Sequence, residues 1–85
     1  MKNVVLVTFE RYGDYNGMAY SYFTDLKLNV NDFVIVKGGD TLKVVKVSQV
    51  NKIPKERKEM AQKWVIAKID PELIKQAKQK EKDNE

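Results

Sequence analysis

Phe33-Val34-Ile35-Val36-Lys37-Gly38-Gly39-Asp40-Thr41-Leu42-Lys43-Val44-Val45-Lys46-Val47 is the stretch on which the fold turns. Branched apolar residues crowd both sides of Gly38-Gly39-Asp40, and such side chains fit a pleated strand better than a helix. The glycines supply the positive φ that a tight hairpin turn requires. Residues 33–37 and 41–50 therefore read as two antiparallel strands. Along the second, the apolar phase changes from Leu42 and Val44 to Val45 and Val47, which predicts a bulge or sharp bend near Val44-Val45.

Outward toward the N-terminus, residues 25–32 read as a bent connection that points Leu26, Leu28 and Val30 inward. Its Asn31-Asp32 dipeptide admits a left-handed residue. Residues 18–24 alternate, with Met18, Tyr20, Tyr22 and Thr24 on one face and Ala19, Ser21 and Phe23 on the other, as a strand does. Residues 10–17 hold two glycines, an Asp and an Asn. They form a hairpin loop that displays Tyr12 and Tyr15, with Asn16-Gly17 as its positive-φ turn. Residues 2–9 are rich in valine on both faces, the pattern of a strand covered from two sides.

Toward the C-terminus, residues 51–63 are polar and basic, and Lys55 to Gln62 has room for one or two helical turns. Residues 63–70 read as the last strand. Asp70-Pro71-Glu72 is a helix start: an N-cap, a proline at the first helical position and an acid near the positive end of the dipole. That helix carries an apolar stripe at 73, 74 and 77, and residues 79–85 form a polar, frayed tail. The predicted fold is mainly β: one domain over 1–78, a five-stranded antiparallel SH3-like small barrel with a C-terminal α-helix from 71. An OB-fold also uses five curved strands, but places its helix between the third and fourth.

Composition excludes more than it selects. The chain has 85 residues, 42% of them hydrophobic and 33% charged, with no His and no Cys. Zinc knuckles, thiol nucleophiles, imidazole bases and disulfide scaffolds are thereby ruled out. A domain this small buries only about 60 to 65% of the surface of its open chain, which leaves little core to support a strained catalytic pocket. The expectation is a binding module and not an enzyme, with no cofactor and no metal. The acids Glu10, Asp14, Asp25, Asp32 and Asp40 match no calcium-loop spacing. The longest uncharged apolar run, residues 4–9, is far below the roughly 20 residues that span a bilayer, so a cytoplasmic protein without membrane partners is expected.

The net charge of +4 is unevenly spread. Residues 1–36 hold three bases and four acids, 37–69 nine bases and three acids, and 70–85 four bases and five acids. The middle segment therefore carries all the excess, and an anionic partner is expected to meet it. The candidate phosphate-binding segment holds Lys37, Lys43, Lys46, Lys52, Lys55, Arg57, Lys58, Lys63 and Lys68, the first seven being the candidate contacts, since lysines neutralise phosphates without a fixed base geometry. Tyr12, Tyr15, Tyr20 and Tyr22 are the candidate aromatic contacts, because exposed rings offer platforms for bases or peptides. Phe23, Phe33, Trp64 and at least one tyrosine are needed for the core.

The run Tyr20-Ser21-Tyr22-Phe23-Thr24-Asp25-Leu26, then Leu28-Asn29-Val30-Asn31-Asp32-Phe33-Val34-Ile35-Val36, resembles a class of short SH3-like barrel proteins common in bacteriophages and prophages. Val44-Val45-Lys46-Val47 and the Lys63 to Asp70 ending are similar to two further motifs of that class, and residues 18–70 carry the likeness. The step at Asn31-Asp32 also resembles a Gly-Asp step in the amino-terminal DNA-binding domain of the primosomal helicase and in KOW-type domains, with Asn31 in place of Gly. The resemblance implies a phage-type module, working in the host cytoplasm, whose partner is a nucleic acid or a host or phage protein. The alternative is an inhibitor or oligomeric regulator acting through protein contacts alone, including a homo-oligomer.

Overall fold

Alternating valines decide which face of the sheet is dry. The computed structural model describes residues 3–83 and contains β1 (Asn3–Thr8), β2 (Ala19–Thr24), β3 (Phe33–Gly38), β4 (Thr41–Gln49), α1 (Lys55–Glu59), β5 (Ala67–Ile69) and α2 (Pro71–Asp83). The strands form one antiparallel sheet in the order β2-β1-β4-β3-β5. Val5 and Val7 of β1, Tyr22 of β2, Val34 and Val36 of β3, and Val45 and Val47 of β4 share a buried cluster, joined by Leu28 and Val65. Leu6, Ile53 and Ala61 are buried outside that cluster, so β1 is covered on both faces as its sequence suggests.

The sheet is not closed as a barrel, which corrects the predicted architecture. The expected strand at 63–70 is reduced to Ala67–Ile69, because residues 63–66 divide their bonds between two neighbours. Phe23 N–H donates to Lys63 O at 2.9 Å and Val65 N–H to Phe23 O at 2.8 Å, a single parallel bridge at Trp64. Ile66 N–H then donates to Ile35 O at 2.8 Å, and the chain continues as β5 beside β3. Each edge receives one step of pairing from this segment, too little for a ladder.

Three local expectations also shift. First, β3 and β4 pair without interruption from Gly38↔Thr41 to Phe33↔Lys46, so no bulge lies at Val44-Val45. The phase change has another cause: Leu42 and Val44 point to the outer face and stay exposed, while Val45 and Val47 point inward. The irregularity lies between Leu6 and Val7, whose partners on β4 are Gln49 and Val47. The extra residue is Ser48, and its Oγ donates to Leu6 O at 3.2 Å. Second, the loop turn falls at Tyr12-Gly13 instead of Asn16-Gly17. Arg11 and Asp14 exchange both backbone bonds, at 2.7 and 3.1 Å, with φ of +54° at Tyr12 and +85° at Gly13. Third, of Leu26, Leu28 and Val30 only Leu28 is buried.

Asn31 takes the left-handed conformation expected of it, with φ +76°. Its N–H donates to Val47 O and Val47 N–H to Asp32 O, both at 2.8 Å, which seats the turn on β4 before β3 begins. At the start of α2, Asp70 Oδ1 accepts the Glu72 N–H at 2.9 Å, the geometry of an N-cap. The helix runs five residues past Lys78, where a frayed tail was expected, since Gln, Lys and Glu favour helix without burial. Leu73 and Ala77 of the predicted stripe are exposed. Lys2 of the predicted first strand and residues 84–85 of the predicted tail lie outside the described residues. Among those described, no helix is long and apolar enough to cross a membrane.

Candidate functional site

The basic middle segment does not make one face. Several of its side chains, and of the tyrosines, fall into three places set by the strand ends and α1.

At the end of the sheet where β1 starts and β2 finishes, loops 25–32 and 50–53 leave a cleft of about 490 Å³. Asn3, Lys27, Asn29, Asn51, Lys52 and Lys58 supply its polar lining, over Val5, Leu28 and Ile53. Among the described residues no carboxylate lines it. Asp32 is close in sequence but committed elsewhere: its Oδ2 accepts the Asn29 N–H at 2.7 Å and pairs with Lys68 Nζ at 3.4 Å. Lys52 stands at φ +56°, and Gln49 Nε2 holds that turn by donating to Asn51 O at 2.9 Å and Lys52 O at 3.2 Å. Three lysines and three asparagines line it over an apolar floor, a composition able to attract an anion.

The second place lies between the outer edge of β2 and α1. Arg57 donates its guanidinium Nη2 to Ala19 O there, beside a gap of about 220 Å³ lined by Met18, Tyr20, Ser21, Met60 and Lys63 among others. Tyr20 is half exposed and sets its ring edge-on to Phe9 at 5.4 Å. Tyr22 is a core residue, 8% exposed, and so leaves the set of candidate contacts. Alternation had left open which face of β2 turns inward, and Val5 opposite Tyr22 settles it. Burial raises the Tyr22 phenol above its ordinary pKa, and the neighbouring Tyr20 adds to the shift.

The third place is the loop after β1. Tyr15 packs edge-on against Phe33 at 5.5 Å and borders a gap of about 310 Å³ with Phe9, Glu10, Lys43 and Val44. Burial raises its pKa first, and the Glu10 carboxylate second. Tyr12 stands at the turn tip, 94% exposed, with the Arg11 guanidinium 5.7 Å from its ring centre. Lys46 Nζ lies 6.0 Å from the Phe33 ring centre, and Lys37 and Lys55 are exposed and line none of the three.

Sequence reasoning missed Lys27, Asn3, Asn29 and Asn51, which line the basic cleft, while Lys63 at the β2 edge belongs to the basic segment that it singled out. Lys27 sits in a segment of net negative charge, so a count by segment hides it. Trp64, assigned to the core by its size, is 45% exposed and packs against Phe23 at 5.4 Å. No protein-family model matches the chain, no curated protein matches it in sequence, and no solved structure matches it in fold.

Proposed function

We propose that the chain is a non-enzymatic, phage-type SH3-like module that takes the phosphodiester backbone of a nucleic acid into the cleft of Lys27, Lys52 and Lys58. The observation that carries this reading is the charge of the lining: three lysines and, among the described residues, no carboxylate. Favouring the SH3-like assignment are the five-strand antiparallel order and the crossing of residues 63–66 from the edge strand β2 to β3. Three phosphate contacts give an affinity that falls with salt at a log-log slope of about −2 to −3. Fluorescence polarisation with labelled single- and double-stranded DNA and RNA, repeated across salt concentrations, measures that slope. Replacing all three lysines by alanine removes most of it, since each phosphate-bound lysine contributes about one unit. Absence of binding at low salt, or a slope unchanged in the triple variant, sinks the reading.

A protein partner, or a second copy of the chain, is the alternative, favoured by the apolar outer face of β4. Leu42 is 65% exposed and Val44 41%. Light scattering across a concentration series, with Leu42→Lys as the comparison, tests self-association; a strictly monomeric protein at every concentration excludes it.

A further inference from the structure

The turn that follows β4 gives the basic cleft something its side chains do not. Lys52 is one of three non-glycine residues at positive φ, the others being Tyr12 and Asn31. Backbone bonds hold those two: Asn31 donates to Val47 O, and Tyr12 sits in the turn closed by Arg11 and Asp14. Lys52, at φ +56°, is held by a side chain instead, because Gln49 Nε2 donates to the Asn51 and Lys52 carbonyls at 2.9 and 3.2 Å. A long side chain in this backbone region is strained, and such strain persists only where its surroundings fix it.

The direction of those two bonds sets the direction of the amides beside them. A trans peptide turns its C=O and the following N–H to opposite sides. With the Asn51 and Lys52 carbonyls drawn to Gln49, the Lys52 and Ile53 N–H groups face away from it. No hydrogen bond within the described residues engages either N–H. Ile53 is only 6% exposed, and a buried residue rarely leaves its N–H without a partner. Asn51, Lys52 and Ile53 line the cleft, whereas Gln49 does not. Successive N–H groups on one side of a turn make a seat for an anion, as in the backbone nests that hold phosphate.

We propose that the Lys52 and Ile53 N–H groups open into the cleft and hold the oxygens of one phosphate group, with Gln49 as the positioning residue that turns them there. This names a contact within the nucleic-acid reading and rests on it. The lysines attract the anion from a distance, and the turn gives one phosphate a fixed place. An internal phosphodiester and a terminal phosphate both suit it, since each presents a pair of unesterified oxygens.

The test is an NMR titration of isotope-labelled protein with dimethyl phosphate and with inorganic phosphate, each against sodium chloride at matched ionic strength. Both probes should move the Lys52 and Ile53 amide protons downfield, beyond the sodium chloride control. Labelled oligonucleotides carrying a 5′-phosphate or a 5′-hydroxyl should move the same two amides. A preference for the 5′-phosphate then assigns the seat to a terminal group, and equal binding assigns it to an internal one. Gln49→Leu should weaken oligonucleotide binding about three- to tenfold at every salt concentration, the effect of about one hydrogen bond. It should leave the salt slope unchanged, because no cation is removed. Lys52→Gly keeps the N–H and suits the left-handed backbone, so it should lower the slope by about one unit and preserve both amide shifts. The titration of the unaltered chain stands on its own if the Gln49 variant does not fold. Amides unmoved by both phosphate probes, or unchanged affinity in Gln49→Leu, overturn the proposal. Oligonucleotide binding with the two amides unmoved overturns it alone, whereas amides moved by the phosphate probes in a chain that binds no oligonucleotide overturn only the nucleic-acid reading.

Discussion

The two hairpins of the sheet have like inner faces and opposite outer faces. In the β1–β2 hairpin the outward Leu6 is 6% exposed. In the β3–β4 hairpin the outward Leu42 and Val44 are open to solvent. Their inward faces are alike, since valines from both enter one cluster. Alternation along a strand thus fixes that a residue points out. Whether out means dry is not fixed by alternation, and the outward Leu6 and Leu42 differ in it.

The largest expected effect tests that asymmetry directly. Leu6→Ala should cost about 2 to 4 kcal/mol, the transfer term plus the cavity left under a covered face. Leu42→Ala should cost less than about 0.5 kcal/mol, as an exposed substitution does. Urea unfolding of the two variants against the unaltered chain gives both numbers. Similar costs would break the comparison. A cost at Leu42 that grows with protein concentration would instead sharpen it, by showing that another copy covers that face.

The turns of the two hairpins differ in a related way. Gly39 turns the β3–β4 hairpin at φ +64°, and a Cβ added there meets no atom within 4 Å. Gly39→Ala should therefore cost about 1 to 2 kcal/mol through backbone conformation alone. The neighbouring Gly38 is the opposite case, for its added Cβ falls 2.8 Å from the Lys43 Cδ. The tip before β2 instead places a bulky residue, Tyr12, at φ +54°. Tyr12→Asn should raise stability by about 0.5 to 1 kcal/mol, since asparagine tolerates that conformation. Thermal unfolding of Gly39→Ala and Tyr12→Asn should move in opposite directions, and a common direction would discard the strain account of Tyr12.

These cases show what was legible beforehand. The Gly38-Gly39-Asp40 hairpin, the left-handed Asn31 and the antiparallel strands were readable because each rests on local chemistry: branched residues, glycine or asparagine at a turn, a period of two. The Tyr12-Gly13 turn was not, because Asn16-Gly17 is the better turn on propensity and the Arg11 to Asp14 pairing overrides it. Leu42 and Val44 invited a bulge because two exposed apolar residues look like a change of face. The basic cleft was half readable. Lys52 and Lys58 lie in the segment of excess charge, whereas Lys27, Asn29 and Asn3 reach the same space from other parts of the chain, and only the register of β1 with β2 brings them there.

The smallest effect concerns the tyrosines, which divide the hairpins cleanly. Residues 33–49 contain none, while Tyr15 and Tyr22 lie in the β1–β2 hairpin and its loop. Burial is the main cause that raises both phenols above 10.0, with Glu10 adding to Tyr15 and Tyr20 to Tyr22. A phenol is neutral when protonated, so a raised value means that the native chain keeps its proton to higher pH than the unfolded chain. Above the unfolded value the native state binds more protons, and stability falls as pH rises. The contribution is fully present below 10.0 and is lost as the pH climbs through the higher folded value. The unaltered chain alone does not isolate the effect of these two phenols. The difference between it and the Tyr15→Phe, Tyr22→Phe double variant does. Their urea midpoints should keep a constant offset up to about pH 9, after which the unaltered chain should lose stability faster. An offset that stays constant to pH values well above 10.0 would mean that neither phenol is shielded in the fold, and that the β1–β2 hairpin is no drier at its tyrosines than at its tip.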